Sequence, residues 1–263
     1  MEFNENNEFA YFLGLMYSDG CVCKTTQKRH IVYFGSIDYE LAYNVSKFFN
    51  INFSIEHKPK YKKKIFYTAH QSNKELFDIL ESYGCVRNKT FLCQPPKIKE
   101  ELIPAFLLGF FDGDGCISVN RSINSWKASI GTSSFCLFGF IKEFLNKNNI
   151  IYYEYERMTS ANNKFYDFSC TGMMARHFLN ILYSSVDNFS PLSRKFEKYK
   201  ILLNENLVPP KYQKWEDEII LQNSPEEASK IINSHTKNIG WKRSPNNVKQ
   251  RKKNFLNKKN VDK

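Results

Sequence analysis

Two stretches of the chain are apolar around the whole circumference of a helix, and both end in Asp-Gly. They read FLGLMYSDG, from Phe12 to Gly20, and LLGFFDGDG, from Leu107 to Gly115. Each stretch predicts a buried helix, with Gly20 as a left-handed stop after the first. The carboxylates of Asp19 and Asp114 would then lie at the negative ends of two helix dipoles, where an acid is unfavourable without a compensating positive charge.

The hydrophobic pattern after each stretch alternates, becomes helical and alternates again, so the chain repeats with a period of 95 residues. In the first half it predicts helices over residues 38–49, capped by Asp38, and 72–84, opening on Ser72 and stopped by Gly84, and strands over 21–26, 30–36, 53–58 and 64–70. In the second half it predicts strands over residues 116–121, 126–132, 151–157 and 165–170 and helices over 134–148, 173–183 and 194–206. The predicted fold class is α+β, with two pseudo-symmetric αββαββα halves at residues 1–99 and 100–208.

Small residues identify the partner of each motif helix. Gly14 and Ser18 lie four positions apart in the first helix, as do Gly109 and Gly113 in the second. Residues at this spacing share a helix face, and small side chains there let two backbones approach closely. We therefore expect the motif helices to pack against each other at a pseudo-twofold axis and to bring the two aspartates together.

Two neighbouring carboxylates repel each other unless a cation lies between them. Oxygen donors without nearby cysteine or histidine favour Mg²⁺, or the related Mn²⁺, which is commonly held by one or two carboxylates together with substrate phosphate and water. Either copy alone would be explained better by a packing helix that ends in a turn. Because both copies keep the acid, we favour a shared metal site.

Composition favours a polyanionic partner, since 38 Lys and Arg residues against 27 Asp and Glu give a formal net charge of +11. A membrane partner is not expected, because the longest apolar run, from Ile103 to Phe111, is less than half of the roughly 20 residues that a spanning helix needs. The acidic opening lacks the apolar segment of a secretory signal, and the seven scattered cysteines form neither a disulfide framework nor a zinc motif. We expect an intracellular protein, in the cytoplasm of a bacterial or phage-infected cell or in an organelle.

With these motifs the sequence resembles the LAGLIDADG homing endonucleases in their single-chain, two-motif form. The eighth letter of the family motif, its metal-binding catalytic acid, falls on Asp19 and Asp114. The sixth letter is matched by Asp112 but is Tyr17 in the first copy, a position that is not catalytic in the family. The resemblance covers about residues 8–207. Its metal site is expected to comprise both acids and the glycines that follow them, Gly20 and Gly115.

The resemblance implies a monomer whose two saddle-shaped sheets lie along the major groove of double-stranded DNA. The acids would meet the minor groove and cut both strands with short 3′ overhangs, by a metal-activated water. Basic residues assist in the family, and the segments NKT and RKF indicate Lys89 and Lys195 for this role. The alternative for each is an ordinary surface lysine of a basic protein.

Base reading is predicted on the strands that follow each Asp-Gly, where side chains alternate between the core and the outside. Val22, Ile117 and Val119 should face the core, while the predicted base-reading residues are Cys23, Thr25, Gln27, Ser118, Asn120 and Ser122. The basic run at residues 57–64, including Lys58, and Arg157 in the second half are candidate phosphate contacts. A solvated basic loop is the equally good alternative for the run.

The segment after Pro209-Pro210 predicts a separate unit at residues 209–263, with three short helices. It weakly resembles helix-turn-helix modules of the Myb/SANT-like kind. Its predicted core is Trp215, Ile219, Ile231, Val248 and Phe255, and its last helix would bind DNA through Lys249, Arg251 and Lys252. The alternative is a basic helical tail that adds nonspecific affinity.

The sequence therefore predicts a sequence-specific DNA endonuclease with an appended DNA-binding module. Two other functions stay open. The first is a maturase-like protein that binds intron RNA and assists splicing, and the second is a DNA-binding regulator in which the acids are inert.

Overall fold

The computed structural model describes residues 3–56, 65–87, 93–120, 125–207, 209–237 and 241–261. The first half contains α1 (Asn7–Ser18), β1 (Gly20–Lys24), β2 (His30–Ser36), α2 (Tyr39–Phe48), β3 (Asn52–Glu56), β4 (Phe66–Ser72) and α3 (Lys74–Ser82). The second half contains α4 (Ile103–Asp114), β5 (Cys116–Asn120), β6 (Ser125–Thr132), α5 (Phe135–Lys147), β7 (Tyr153–Met158), β8 (Lys164–Thr171), α6 (Met173–Tyr183) and α7 (Ser193–Leu203). Three helices follow, α8 (Lys214–Gln222), α9 (Pro225–His235) and α10 (Pro245–Val261).

Each half forms one antiparallel sheet of four strands, in the order β1-β2-β4-β3 and β5-β6-β8-β7. The identical order in the two halves confirms the predicted α+β fold with its repeated αββαββα unit. In the described part of the chain, no helix combines the length and the hydrophobicity needed to cross a membrane. All seven cysteines are free thiols.

The motif helices α1 and α4 form the centre of the molecule. Every residue of α1 from Phe9 to Ser18 is buried, and α4 is buried from Ala105 to Asp112. Helix α1 begins where the Asn6 side chain accepts a hydrogen bond of 2.9 Å from the Phe9 backbone N–H. Because both helices are apolar on all sides, each can be buried only by packing on the other and on the two sheets.

The structure corrects two of the predicted helix ends and agrees with a third. Asn73 caps α3, accepting 3.0 Å from the Leu76 N–H, and Ser72 belongs to β4. Asp38 does precede α2, but its carboxylate binds the Arg194 guanidinium instead of the helix N-terminus. Gly84 has φ of +102°, which is the left-handed conformation predicted for it.

Gly20 is not the left-handed stop that its position suggested, because it is the first residue of β1. The chain passes directly from helix to strand over the last helical turn, so a Cβ on Gly20 would lie 2.6 Å from the Met16 backbone oxygen. Gly115 is extended as well, with φ −80° and ψ 166°, and its Cβ would meet Phe111. Glycine is required here for close approach and not for a positive φ.

Helices α8, α9 and α10 form a small module with its own core of Ile220, Ala228, Ile232 and Val248. Of the predicted core, Val248 is fully buried, and Trp215 and Ile219 pack at its edge. The isoleucines at the centre of this core are Ile220 and Ile232, which directly follow the predicted Ile219 and Ile231 in the sequence. Each lies in an Ile-Ile pair, and hydrophobic periodicity alone does not decide which member of such a pair faces inward.

Candidate catalytic centre and nucleic-acid interface

The small residues of α1 and α4 lie in the contact between the two helices. A Cβ on Gly14 would lie 2.0 Å from the Phe106 carbonyl oxygen, and one on Gly109 would lie 1.9 Å from that of Tyr11. A Cβ on Gly113 would lie 1.9 Å from Ser18 Oγ. These backbones are therefore too close for any larger side chain, which fixes the relative position of the two helix ends.

The helix contact places Asp19 beside the end of α4. Asp19 follows the last residue of α1, and its N–H donates to the Leu15 carbonyl at 3.0 Å. Its Oδ2 lies 3.3 Å from the position that a Cβ on Gly113 would occupy. Since Gly113 directly precedes Asp114, the structure brings the two acids to the same end of the helix pair. Asp19 is half-buried and Asp114 is exposed.

The donor set at this end fits a hard divalent cation. In the part of the chain that the structure describes, no three carboxylate, imidazole or thiol groups form a preassembled metal cage. Two carboxylates with an exposed side suit Mg²⁺ or Mn²⁺ better than zinc, because Mg²⁺ keeps several waters and completes its shell with substrate phosphate.

Lys195 supplies the positive charge that an acid at the end of α4 requires. Its ammonium is buried and donates to the carbonyl oxygens of Phe111, Asp112 at 2.9 Å and Gly115 at 2.6 Å. Burial lowers the pKa of Lys195 to about 8, against the raising effect of Asp112 and Asp114, so the group is still mostly protonated at neutral pH. An ammonium has three N–H donors, and here protein carbonyls accept from all of them.

Asp112, the sixth motif residue, has a structural role that was not predicted from the sequence. It is fully buried, and its Oδ2 accepts hydrogen bonds from the Tyr11 hydroxyl at 2.9 Å and the Leu192 N–H at 2.8 Å. Burial raises its pKa to about 6, although the nearby Lys195 lowers it. Asp112 thus ties α4 to α1 and to the start of α7.

Tyr17, which stands at the same motif position in the first half, is also buried and directs its hydroxyl to the Tyr83 carbonyl at 2.9 Å. The residue at the sixth position therefore fixes each motif helix by a hydrogen bond, through a hydroxyl in α1 and a carboxylate in α4. A mismatch between Asp and Tyr in the alignment of the two copies concealed this shared role.

One face of each sheet is polar, and the strand register defines it. In the second sheet the residues that share this face are Cys116, Ser118, Asn120, Lys127, Ser129, Asp167, Ser169, Thr171, Tyr153, Tyr155 and Arg157. The opposite face carries Ile117, Trp126, Ala128, Ile130, Phe168 and Cys170, which are buried under the helices. In the first sheet the corresponding polar face carries Cys21, Cys23, Tyr33, His70, Thr68, Asn52 and Ser54.

Several predicted base-reading residues lie on these faces. Cys23, Ser118 and Asn120 occupy the polar faces. Arg157, the candidate phosphate contact, lies on the same face of the second sheet, with its guanidinium 4.5 Å from the centre of the Phe165 ring. Lys127, Tyr153 and Tyr155 lie on the same face of the second sheet and were not among the candidates. Their alternation along β6 and β7 is the signal that could have identified them.

The end of β1 departs from the prediction. The strand ends at Lys24, so Thr25 and Gln27 lie in the turn that follows and do not share a strand face with Cys23. Thr25 closes this turn, because its hydroxyl oxygen accepts a hydrogen bond of 3.1 Å from the Arg29 N–H. Val119 is on the helix-covered face of β5 but is 36% exposed, since the strand extends past the core there.

Three predicted site residues lie outside the described part of the chain. They are Lys58, together with its basic run at residues 57–64, Lys89 and Ser122.

In the C-terminal module, two of the three predicted DNA contacts of α10 are bound by other groups of the module. Arg251 forms a two-bond ion pair with Asp217, at 3.0 and 2.9 Å, and Lys252 donates to the Asn223 carbonyl at 2.8 Å. Lys249 is exposed. The prediction for Arg251 and Lys252 rested on their charge, whereas the module itself supplies a partner for each cation, the Asp217 carboxylate for Arg251 and the Asn223 carbonyl for Lys252.

The LAGLIDADG-like domain model matches residues 6–83 and 101–186, once in each half. Among curated proteins, the probable translation initiation factor IF-2 of Methanocaldococcus jannaschii is 26% identical over 218 residues. The match covers 75% of this chain but only 17% of that protein's length.

Solved structures of similar proteins include the I-LtrWI LAGLIDADG homing endonuclease bound to target DNA, with 15% identity, coverage of 88% of this chain and 98% of that chain, and a TM-score of 0.48. The structure of I-DmoI in complex with DNA and Ca is 14% identical in sequence. The match covers 76% of this chain and 100% of that chain, with a TM-score of 0.49. I-DmoI in complex with DNA and Mn has 15% identity, coverage of 71% and 100%, and a TM-score of 0.44. Because the domain model matches both halves and more than half of the residues, the chain belongs to the LAGLIDADG homing endonuclease family, in its single-chain, two-domain form.

Proposed function

We propose that the protein is a site-specific DNA endonuclease that makes a staggered double-strand break by divalent-metal-dependent hydrolysis of phosphodiester bonds. One observation carries this proposal. The Asp19 carboxylate lies against Gly113, the residue before Asp114, so two acids meet at one end of a rigid helix pair. Lys195 compensates the end of α4, but a second carboxylate beside Asp114 still adds like-charge repulsion, which favours a functional reason for the pair.

The two acids and the glycines of the helix contact have different roles in this proposal. Asp19 and Asp114 would hold Mg²⁺ or Mn²⁺ through their carboxylates, and the exposure of Asp114 leaves this site open to a DNA strand. When bound, such an ion supplies activation of water and stabilisation of the charge that develops on the phosphate. The close contact at Gly14, Gly109 and Gly113 keeps the two carboxylates at a fixed separation.

We assign Lys195 to positioning and not to contact with DNA. Its three N–H groups are engaged with the carbonyls at the end of α4 and the start of β5, on both sides of Asp114. It therefore stabilises the backbone that carries the acid. Lys89 stays a predicted basic residue near the site.

The polar faces of the two sheets would bind the duplex on either side of the acids. They present hydroxyl, amide and tyrosine groups that suit contacts to base edges and phosphates. The formal charge of +11 provides the long-range attraction to a polyanion.

The test is cleavage of a randomised double-stranded DNA library with Mg²⁺, followed by sequencing of the ends. The wild-type protein should give one long site with staggered ends, and Asp19→Asn and Asp114→Asn should abolish cleavage while retaining metal-independent binding. Asp78→Asn, which changes an exposed carboxylate of α3 outside the motifs, is the control and should leave cleavage intact. Cleavage that survives both substitutions would contradict the proposal, and tight binding to folded intron RNA without DNA cleavage would favour the maturase-like function instead.

A further inference from the structure

The C-terminal module is a folded unit with a buried ion pair and a core of its own. Arg243 and Glu216 form a buried ion pair at 2.8 Å, with side chains only 7% and 0% exposed. The Arg243 guanidinium also lies 4.1 Å from the centre of the Tyr212 ring and donates to the Pro210 carbonyl at 2.7 Å. This network fixes the linker, α8 and the segment before α10 in one arrangement.

The internal ion pairs also remove acids from the surface around α10. Glu216 pairs with Arg243 and Asp217 pairs with Arg251, so both of these α8 carboxylates are already neutralised. Helix α10 itself, from Pro245 to Val261, contains no acidic residue. The positive charge that remains exposed on its described part comes from Lys249 and Lys253.

The outward face of α10 combines this charge with carboxamides. Val248 is fully buried and marks the inner face of the helix. Asn246, Lys249, Gln250 and Lys253 are all exposed and follow the i, i+3, i+4, i+7 spacing of a single face. Asn and Gln side chains can form two hydrogen bonds to the adenine edge in the major groove, and lysines suit phosphates.

The module lies at one end of the second sheet. Trp241 is buried in the main core together with Leu207 of the linker, so the module is attached to the second half. An open groove of about 470 Å³ separates the linker from the start of β6 and the end of β8, with Ser125 and Thr171 among its lining residues. These strand ends are remote from Asp114, because β5 begins beside that acid at Cys116 and pairs its far end, Asn120, with Ser125.

We propose that α10 is a second DNA-reading element, which extends the target on one side only, beyond the DNA covered by the second half. Asn246 and Gln250 read base edges in the major groove, and Lys249 and Lys253 bind the flanking phosphates. The inference rests on the proposed DNA-binding function. In this proposal the DNA contacts of α10 are its outward residues, in place of Arg251 and Lys252, whose charged groups bind other residues of the module.

The test is selection of bound duplexes from a randomised library by the full-length protein in metal-free buffer, where cleavage does not interfere. For the wild type we expect a central motif and an additional block of preferred bases on one side. The double variant Asn246→Ala, Gln250→Ala should lose this block and keep the central motif. Thermal melting of each variant checks that the fold is intact.

The role of the two lysines is tested by the salt dependence of DNA binding. Lys249→Ala and Lys253→Ala should each weaken binding to all sequences and reduce the slope of log Kd against log salt by about 1. Lys74→Ala is the matched control, since it removes one charge from an exposed helix of the first half and should leave the slope unchanged.

Each outcome of these experiments either supports or overturns the inference about α10. A symmetric central motif without the side block, or a side block that survives in the double variant, overturns this inference and leaves the endonuclease proposal standing. Salt-slope changes without any loss of base preference show a basic tail and also overturn it. If the wild-type protein binds no duplex DNA, both proposals fail together.

Discussion

Gly109 of α4 faces the Tyr11 carbonyl of α1 so closely that a Cβ would lie 1.9 Å from its oxygen. We expect Gly109→Ala to destabilise the protein by about 3 kcal/mol, the upper end of the usual range for overpacking, because two helix backbones cannot change rotamer to relieve the clash. It should also abolish metal-dependent cleavage, since the helices must separate where they carry the acids. Urea denaturation and a cleavage assay measure the two effects.

Gly139 offers the matched control. It lies within α5, and nothing is within 4 Å of the position that its Cβ would take. Gly139→Ala should stabilise the protein by about 0.5–1 kcal/mol through helix propensity alone. If the two substitutions had similar effects, the close helix contact would not be what requires glycine at position 109.

Much of the fold follows from sequence because the relevant signals are local. Alternation and helical periodicity place β2 at residues 30–36 and α6 at 173–183 with the same bounds as the structure. The helix interface follows from two pairs of small residues. The buried bonds of Asp112 to Tyr11 and Leu192 do not, since they join residues up to 101 positions apart. Likewise, no local pattern shows that Arg251 finds Asp217, 34 positions away.

Lys195→Met should destabilise the protein by about 1–3 kcal/mol, because it leaves buried carbonyl oxygens at the end of α4 without a donor. We also expect a lower cleavage rate with little change in DNA affinity, since Lys195 positions the backbone around Asp114 and does not contact DNA. Lys198→Met is the control, as that ammonium contacts one carbonyl, of Ile117 at 2.9 Å, and its loss should cost less. A large loss of DNA affinity in Lys195→Met would contradict the positioning role.

His177 should make the folded protein less stable in mild acid. Burial lowers its pKa below the ordinary value of 6.5, and its Nε2 lies 3.0 Å from the Asn148 carbonyl. The unfolded chain therefore binds the proton more readily, so its contribution to stability is full above pH 6.5 and is lost as the pH falls through the folded-state pKa.

The free energy of unfolding measured from pH 8 to pH 5 tests this dependence on His177. We expect the wild type to lose more stability over this range than His177→Gln, which cannot take up a proton. Identical pH profiles for the two proteins would show that His177 titrates at the same pH in the folded and unfolded states.

Glu216→Gln should unfold the C-terminal module without unfolding the two halves. Glu216 is fully buried and accepts from the Arg243 guanidinium at 2.8 and 3.1 Å, so the substitution leaves a buried cation without its counter-charge, at a cost of about 3–5 kcal/mol. The core of the three-helix module is small, so a loss of this size exceeds the stability that such a core can provide.

Limited proteolysis should then cut after residue 210 in the Glu216→Gln variant, and cleavage of DNA at the central site should persist with a shorter sequence preference. Glu218→Gln, at an exposed position of the same helix, should behave as the wild type does. A protease-resistant Glu216→Gln module would mean that the apolar contacts of Ile220, Ile232 and Val248 hold it together without the ion pair.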